Sequence, residues 1–342
     1  MKIPTTVITG FLGVGKTTLI RDVLASANGR RIALVINEFG ELPIDGDLLK
    51  GCGLEDCSDD DVVELANGCI CCTVAEDFLP TMKKLIERDH PPEQIVIETS
   101  GLALPQPLVR AFRWPEIRTR VGLDGVIAVV DGRALAEGEI VADRQAVSAQ
   151  READPNLDHE SGLDELLDSQ LEAADLLVVT KTDLLDGAGL ARAMDFLKGR
   201  LRPGTPILSS GQKPLTADLL LGLGAGAALE TIEPEHGDRD DDDHDHHHPD
   251  FAAHVVSIPE QEDISALTKA VESAMTACGA YRVKGVVSVA GRDMRLVVQG
   301  VGRRVQTHFD RDWNDNEERQ SRLVFIAPGA LDEAALGKTM GL

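Results

Sequence analysis

Apolar and β-branched residues recur along the first two thirds of the chain in short runs that alternate with longer amphipathic stretches. Each run is long enough for one buried strand, and the intervening stretches have the apolar spacing of helices. This alternation predicts an α/β fold, a doubly wound and mostly parallel sheet with helices on both faces. The predicted strands are residues 3–9, 31–36, 94–98, 125–131 and 176–180.

After residue 250 the pattern changes, because one strand and one helix are followed by four successive strand-like runs and a final helix. Such grouping predicts a small α+β domain at the C-terminal end. We therefore predict an α/β domain over residues 1–230, a tether over 231–250 and the α+β domain over 251–342. In the last of these the predicted strands are 252–258, 281–290, 294–301, 304–309 and 323–327, and the predicted helices are 263–278 and 331–338.

The tether contains the run HGDRDDDDHDHHHPD at residues 236–250, with five histidines and seven aspartates. A run of this composition cannot bury enough apolar surface to fold alone, which predicts a mobile linker. Clustered imidazoles also bind divalent ions weakly and collectively. The run is therefore interpreted as a metal-collecting tether, and a merely solvated acidic linker remains the alternative.

Residues 10–17, GFLGVGKT, match the phosphate loop of P-loop nucleoside triphosphatases and lie between a predicted strand and a predicted helix. Glycines let successive N–H groups point at phosphate oxygens, and the helix start adds its positive end. Lys16 would reach the β- and γ-phosphates as a catalytic residue, and Thr17 would hold Mg²⁺. The predicted residues of this site are Gly10, Gly13, Val14, Gly15, Lys16, Thr17 and Thr18.

The strand at 176–180 ends in Thr-Lys-Thr-Asp, and three of these residues, Thr180, Lys181 and Asp183, are predicted to bind the base. The Asp183 carboxylate can accept hydrogen bonds from N1–H and the 2-amino group of guanine, whereas adenine offers neither donor. The sequence therefore favours GTP. The usual guanine signature has Asn where this chain has Thr180, and Asp183 could instead simply open a turn.

Glu98 ends another predicted strand and is followed by Thr-Ser-Gly. In doubly wound folds the carboxyl ends of strands face the ligand, so Glu98 is predicted to be the second catalytic residue. It could hold Mg²⁺ through water or orient the attacking water, and the sequence leaves both roles open.

Three of the six cysteines, Cys69, Cys71 and Cys72, fall within four residues. The chain shows no hydrophobic signal segment at its start, which together with a nucleotide site predicts a reducing cytoplasm rather than a disulfide scaffold. Clustered thiolates suit tetrahedral Zn²⁺ or Co²⁺, with Cu(I) as a further soft candidate. Inert packing or a redox switch are the alternatives.

Charge and hydropathy limit the partners. A net charge of −24 and a pI near 4.7 argue against nucleic acid, and no apolar run approaches membrane-spanning length. GTP and a divalent metal are the predicted ligands.

In combination, these segments resemble the CobW family of P-loop GTPases, which is related to the nickel-insertion GTPases of hydrogenase and urease. The family's Cys-x-Cys-Cys motif binds a transition metal in a nucleotide-responsive way, which the resemblance carries to Cys69, Cys71 and Cys72. It also implies that Glu38 and Glu41 belong to a switch region or supply ligands. The matching segments are TGFLGVGKTT at 9–18, NEFGE at 37–41, NGCICCT at 67–73, ETSGLALP at 98–105, DGVIAVVD at 124–131 and TKTD at 180–183.

Within the family the chain looks most like the branch associated with aerobic cobalamin biosynthesis. That likeness implies a slow, metal-coupled GTPase that carries Co²⁺ to a cobaltochelatase subunit. A zinc chaperone or zinc-homeostasis GTPase shares every catalytic motif and remains open, as does a metal-independent P-loop kinase or ATPase.

Overall fold

The computed structural model describes residues 2–27, 29–36, 62–64, 78–153, 161–211, 214–221, 251–302, 304–313, 319–328 and 330–341. The chain divides into two compact units, which comprise Lys2–Gly222 and Leu223–Leu342. The predicted tether at 231–250 lies outside the described residues, so its character stays a prediction.

The first unit contains a seven-stranded sheet in which every described pairing is parallel. The central strands are buried along their whole length, as expected for β-branched runs covered on both faces. The α/β prediction is thereby confirmed. The strands are β1 (Ile3–Thr9), β2 (Ile32–Ile36), β3 (Val62–Glu64), β4 (Gln94–Glu98), β5 (Val121–Asp131), β6 (Leu176–Thr180) and β7 (Ile207–Ser209).

Apolar residues of the helices Leu79–Ile86 and Pro105–Ala111 share one buried core with strands of the sheet. Phe78 and Phe112 meet edge to face in the core, with ring centroids 5.6 Å apart. In the part of the chain that the structure describes, none of the helices could span a membrane. The helices are α1 (Lys16–Ala25), α2 (Leu79–Ile86), α3 (Pro105–Ala111), α4 (Gly132–Ala136), α5 (Arg144–Ala153), α6 (Leu163–Ala173), α7 (Gly187–Leu197) and α8 (Ala217–Leu220).

Strand order β3-β2-β4-β1-β5-β6-β7 places β1 at the centre, between β4 and β5. Ile8 is in register with Glu98, and Asp131 is in register with Thr180. Because parallel strands end at the same edge, the ends of β1, β4, β5 and β6 meet there, and Thr9 leads from this edge into the phosphate loop.

The second unit contains five strands, β8 (Phe251–Ile258), β9 (Arg282–Val287), β10 (Met294–Val301), β11 (Arg304–Asp312) and β12 (Ser321–Pro328). They form an antiparallel sheet in the order β11-β10-β9-β12-β8. Two helices pack on one face, and the apolar residues of this core come from both helices and all five strands. The α+β prediction is confirmed. The helices are α9 (Ile264–Cys278) and α10 (Glu333–Met340).

Candidate nucleotide-binding site

The phosphate loop joins the end of β1 to the start of α1. Gly10, Gly13 and Gly15 have φ of 146°, 73° and 99°, values that residues with a side chain rarely adopt. No described side chain caps the start of α1, and its first turn carries no acidic residue. The N–H groups of that turn are therefore available to phosphate oxygens, where the helix dipole also favours an anion. The loop fits the phosphates of a nucleoside triphosphate.

Lys16 and Glu98, the two residues predicted to be catalytic, lie side by side at this loop. Their side chains are only 4% and 1% exposed, and Lys16 Nζ is 3.8 Å from Glu98 Oε1. The ammonium also donates a hydrogen bond to the Phe11 carbonyl oxygen at 3.1 Å. A buried ammonium held this way can contact a phosphate in the loop, and Glu98 is close enough to act on the same region.

Thr180 ties the base-recognition segment to the phosphate loop. Its hydroxyl lies 2.6 Å from the Val14 carbonyl oxygen and 3.0 Å from the Val130 carbonyl oxygen, so its single proton has two acceptors within reach. A Cβ added to Gly15 would lie 3.5 Å from Thr180 Cγ2. A hydroxyl group in place of the usual Asn amide therefore still contacts the loop from the end of β6.

Lys181 makes a second link to the loop. It is the only described non-glycine residue with positive φ, at 56°. Its ammonium donates to the Gly13 carbonyl oxygen at 2.9 Å and to Asp131 Oδ2 at 2.6 Å. Asp131 was not among the predicted site residues, although its position at the carboxyl end of a predicted strand was a usable signal.

Asp183 lies in a short 3-10 helix, Thr182–Leu184, and is exposed. The segment after β7 packs against this helix, since the Thr182 hydroxyl donates to the Ser210 carbonyl oxygen at 3.1 Å. A Cβ added to Gly211 would lie 3.3 Å from Asp183 Cβ. The exposed carboxylate can accept hydrogen bonds from the N1–H and 2-amino groups of guanine. The contacts of Ser210 and Gly211 with this segment were not predicted, because the preceding strand has only three residues and shows no recognisable pattern.

Of the remaining predicted site residues, the structure describes Thr17 and Thr18 but not the predicted transition-metal residues. Thr17 and Thr18 are exposed in the first turn of α1, where a hydroxyl group can reach a bound cation. Among the described residues no group of three or more His, Cys, Asp or Glu side chains could hold a metal ion. The predicted transition-metal ligands Cys69, Cys71 and Cys72, and the predicted switch or ligand residues Glu38 and Glu41, all lie outside the described residues.

Gly101 lies against the phosphate loop, and its replacement by alanine is expected to weaken nucleotide binding. A Cβ at this position would be 2.7 Å from the Leu12 nitrogen and 3.1 Å from the Phe11 carbonyl carbon. Because these are backbone atoms, the loop itself must shift, and overpacking of this kind typically costs about 1–3 kcal/mol. We expect roughly a 10- to 100-fold lower affinity for a fluorescent guanine nucleotide.

Gly162→Ala is the matched control, because a Cβ there meets no atom within 4 Å. Both variants should be compared with the unaltered protein in the same fluorescence titration and thermal melt. Unchanged affinity in Gly101→Ala would show that the loop tolerates the added methyl group.

The strand order, the glycine-rich loop and the Lys16–Glu98 pair define a P-loop nucleotide-binding protein. A family model described as "CobW/HypB/UreG, nucleotide-binding domain" matches residues 4–209, and one described as "Cobalamin synthesis protein cobW C-terminal domain" matches 251–341. The chain therefore belongs to the CobW/HypB/UreG family of P-loop GTPases.

Three relatives match the chain over most of its length. A zinc chaperone CobW from Sinorhizobium sp is 48% identical over 98% of this chain and 95% of its own. A zinc chaperone CobW from Pseudomonas aeruginosa is also 48% identical, over 99% and 91%. The zinc chaperone YjiA from Escherichia coli is 30% identical, over 95% and 93%.

Proposed function

We propose that the protein is a GTP-dependent metallochaperone that binds a transition metal at Cys69, Cys71 and Cys72 and releases it to an acceptor protein after GTP hydrolysis. The observation that carries the nucleotide half is the convergence of Lys16 and Glu98 on the phosphate loop, with Lys16 Nζ 3.8 Å from Glu98 Oε1. The metal half is supported by the thiol cluster and by relatives described as zinc chaperones.

The described side chains have distinct tasks in this function. The loop N–H groups bind phosphate oxygens, and the Lys16 ammonium also stabilises the charge that develops on those oxygens during hydrolysis. Asp183 selects guanine by accepting hydrogen bonds from its N1–H and 2-amino groups. Glu98 either orients the attacking water or holds the cation through water. A bound Mg²⁺ would neutralise phosphate charge, and the Thr17 hydroxyl would hold it.

Sheet register supports a coupling between the two sites. Glu98 is in register with Ile36, and Ile36 is in register with Glu64. Two strand spacings separate Glu98 from Glu64, which is about 10 Å. Cys69 follows Glu64 by five residues, a reach of at most about 18 Å. The thiol cluster thus follows the end of β3 in the sequence, and sheet register connects that end through β2 to the strand end that carries Glu98.

Glu38 and Glu41 follow β2 in the sequence, and β2 ends at Ile36, in register with Glu98. GTP bound near Glu98 would act through the ends of β2 and β3, the strands that precede the two predicted metal segments in the sequence. In the proposed cycle, GTP favours the metal-binding arrangement of the thiols, and loss of the γ-phosphate releases the metal.

Zinc is the first candidate cargo. The relatives of 48% identity over nearly the whole chain are described as zinc chaperones, and divalent affinities usually place Zn²⁺ above Co²⁺. Cobalt for a cobaltochelatase is the second candidate, favoured by the C-terminal match to a family named for cobalamin synthesis. Thiolate ligands accept either ion, so the acceptor protein would decide between them.

The test is a metal titration in the presence of Mg-GTP, Mg-GDP or no nucleotide, with a competing zinc indicator and, separately, with Co²⁺ absorption. We expect one tight ion per chain, with higher affinity in the GTP state. Because coupling is reciprocal, saturating metal should tighten GTP binding by the same factor. Equal metal affinity in all three states would contradict the nucleotide-gated function.

Cys71→Ala should lower metal affinity at the tight site by more than about 100-fold. Loss of a residue that only supports a ligand typically lowers metal affinity by about 10- to 100-fold, and loss of a ligand itself should cost more. The matched control is Cys278→Ala, which removes the buried thiol at the end of α9. GTP affinity without metal should be unchanged in both variants. If Cys71→Ala retained full metal affinity, the thiol cluster would not be the cargo site.

A further inference from the structure

A buried carboxylate, Asp131, stands between the base-recognition segment and the phosphate loop. It ends β5, and its side chain is only 2% exposed. Oδ1 accepts hydrogen bonds from the Arg133 and Ala134 nitrogens at 2.9 and 3.2 Å, which caps α4. Oδ2 lies 2.6 Å from Lys181 Nζ. The two oxygens therefore serve different partners, one in the local turn and one in the base segment.

The Lys181 ammonium, which contacts Asp131, also contacts the phosphate loop. Its second hydrogen bond goes to the Gly13 carbonyl oxygen at 2.9 Å, and its side chain is 34% exposed. A half-exposed lysine side chain can adopt several rotamers, and it loses considerable conformational entropy when one rotamer is fixed. A charge-assisted bond to the buried Asp131 carboxylate selects the one rotamer that reaches Gly13.

The direction of two loop carbonyls follows from these contacts. Lys181 holds the Gly13 carbonyl oxygen, and Thr180 holds the Val14 carbonyl oxygen. In a planar trans peptide the C=O and the following N–H point in opposite directions. Fixing these carbonyls toward β6 therefore turns the N–H groups of Val14 and Gly15 away from it, into the loop where phosphate oxygens bind.

We propose that Asp131 is a positioning residue for nucleotide binding, which acts by holding the Lys181 ammonium on the Gly13 carbonyl and so orienting the Val14 N–H toward phosphate. This role presupposes the guanine-nucleotide binding proposed above. It concerns binding of GDP and GTP alike, because the phosphates shared by both nucleotides lie in the loop. The expected signature is a raised KM with an unchanged kcat.

Asp131→Asn separates the two tasks of the carboxylate. The amide keeps one acceptor oxygen for the start of α4 but cannot offer a second, charged acceptor to Lys181. We expect GDP and GTP affinity to fall by about 10- to 100-fold, the usual range for a lost charge-assisted hydrogen bond. Fluorescent GDP binding and its dissociation rate, with steady-state GTP hydrolysis, measure this effect.

Asp263→Asn is the matched control, because Asp263 Oδ1 caps α9 through the Ser265 and Ala266 nitrogens with the same spacing. It should leave nucleotide affinity unchanged. Lys181→Met completes a double-mutant cycle with Asp131→Asn. If Asp131 acts through Lys181, the double variant loses no more affinity than Lys181→Met alone.

Asp131→Ser provides a second variant, because serine also caps a helix start but carries no charge. It should reproduce the loss if Asp131→Asn does not fold. Additive losses in the double-mutant cycle would overturn the proposal, as would wild-type affinity in a folded Asp131 variant. Failure of the unaltered protein to bind guanine nucleotide would instead refute the proposed function.

Discussion

Replacing Lys16 with alanine is expected to lower GTP hydrolysis by more than about 100-fold, the usual effect of removing one donor that stabilises transition-state charge. The Lys16 side chain is 4% exposed, and its ammonium is held by the Phe11 carbonyl oxygen and the nearby Glu98 carboxylate. Lys16 is the first residue of α1, next to the loop N–H groups. Alanine would therefore remove a buried ammonium from the start of this helix.

Hydrolysis should be measured as phosphate release at saturating GTP and again at low GTP, so that kcat and kcat/KM are both obtained. Lys198→Ala is the control, since Lys198 is 77% exposed and pairs only with Asp195 among the described residues. It should leave both constants unchanged. Hydrolysis by Lys16→Ala within a few-fold of the unaltered protein would exclude the assigned role.

Gly10→Ala should produce the largest loss of stability among the glycine substitutions of the loop. A Cβ at Gly10 would lie 2.3 Å from the Val129 carbonyl oxygen, and φ is 146°, a conformation that alanine rarely adopts. The clash involves the backbone of β5, which is paired with β1 at the centre of the sheet. One of these strands must move to remove the clash, and we expect the free energy of unfolding to fall by more than about 3 kcal/mol.

Urea unfolding followed by circular dichroism measures this cost. Gly138→Ala is the control, because Gly138 has φ of 81° but no atom within 4 Å of an added Cβ. Its cost should be limited to the backbone strain, about 1 kcal/mol. Equal losses in the two variants would show that the conformation of Gly10, rather than its contact with β5, sets the requirement for glycine.

Most of the fold could be predicted because its central strands are long apolar runs. β1, β4 and β6 were predicted with the bounds that the structure has. β5 begins at Val121 rather than at residue 125, because Gly122 and the buried Asp124 interrupt its apolar run. β3 and β7 were not predicted, since three residues are too few to show a period.

The sequence by itself determined which local motifs are candidates for the chemistry. The spacing of Gly10, Gly13, Gly15 and Lys16 specifies a phosphate loop wherever a strand leads into a helix. The closely spaced thiols likewise indicate a soft-metal site from residue type alone. Local patterns suffice in these cases because each motif lies within a few consecutive residues.

Only the tertiary structure decided how distant residues combine. Strand order brings Glu98 to Lys16, Asp131 to Lys181 and Gly101 to Leu12. The first of these pairings was expected from fold class, but the other two were not. They depend on which strands are neighbours and on their register, and hydrophobic periodicity does not encode either, because any buried parallel strand has the same apolar pattern.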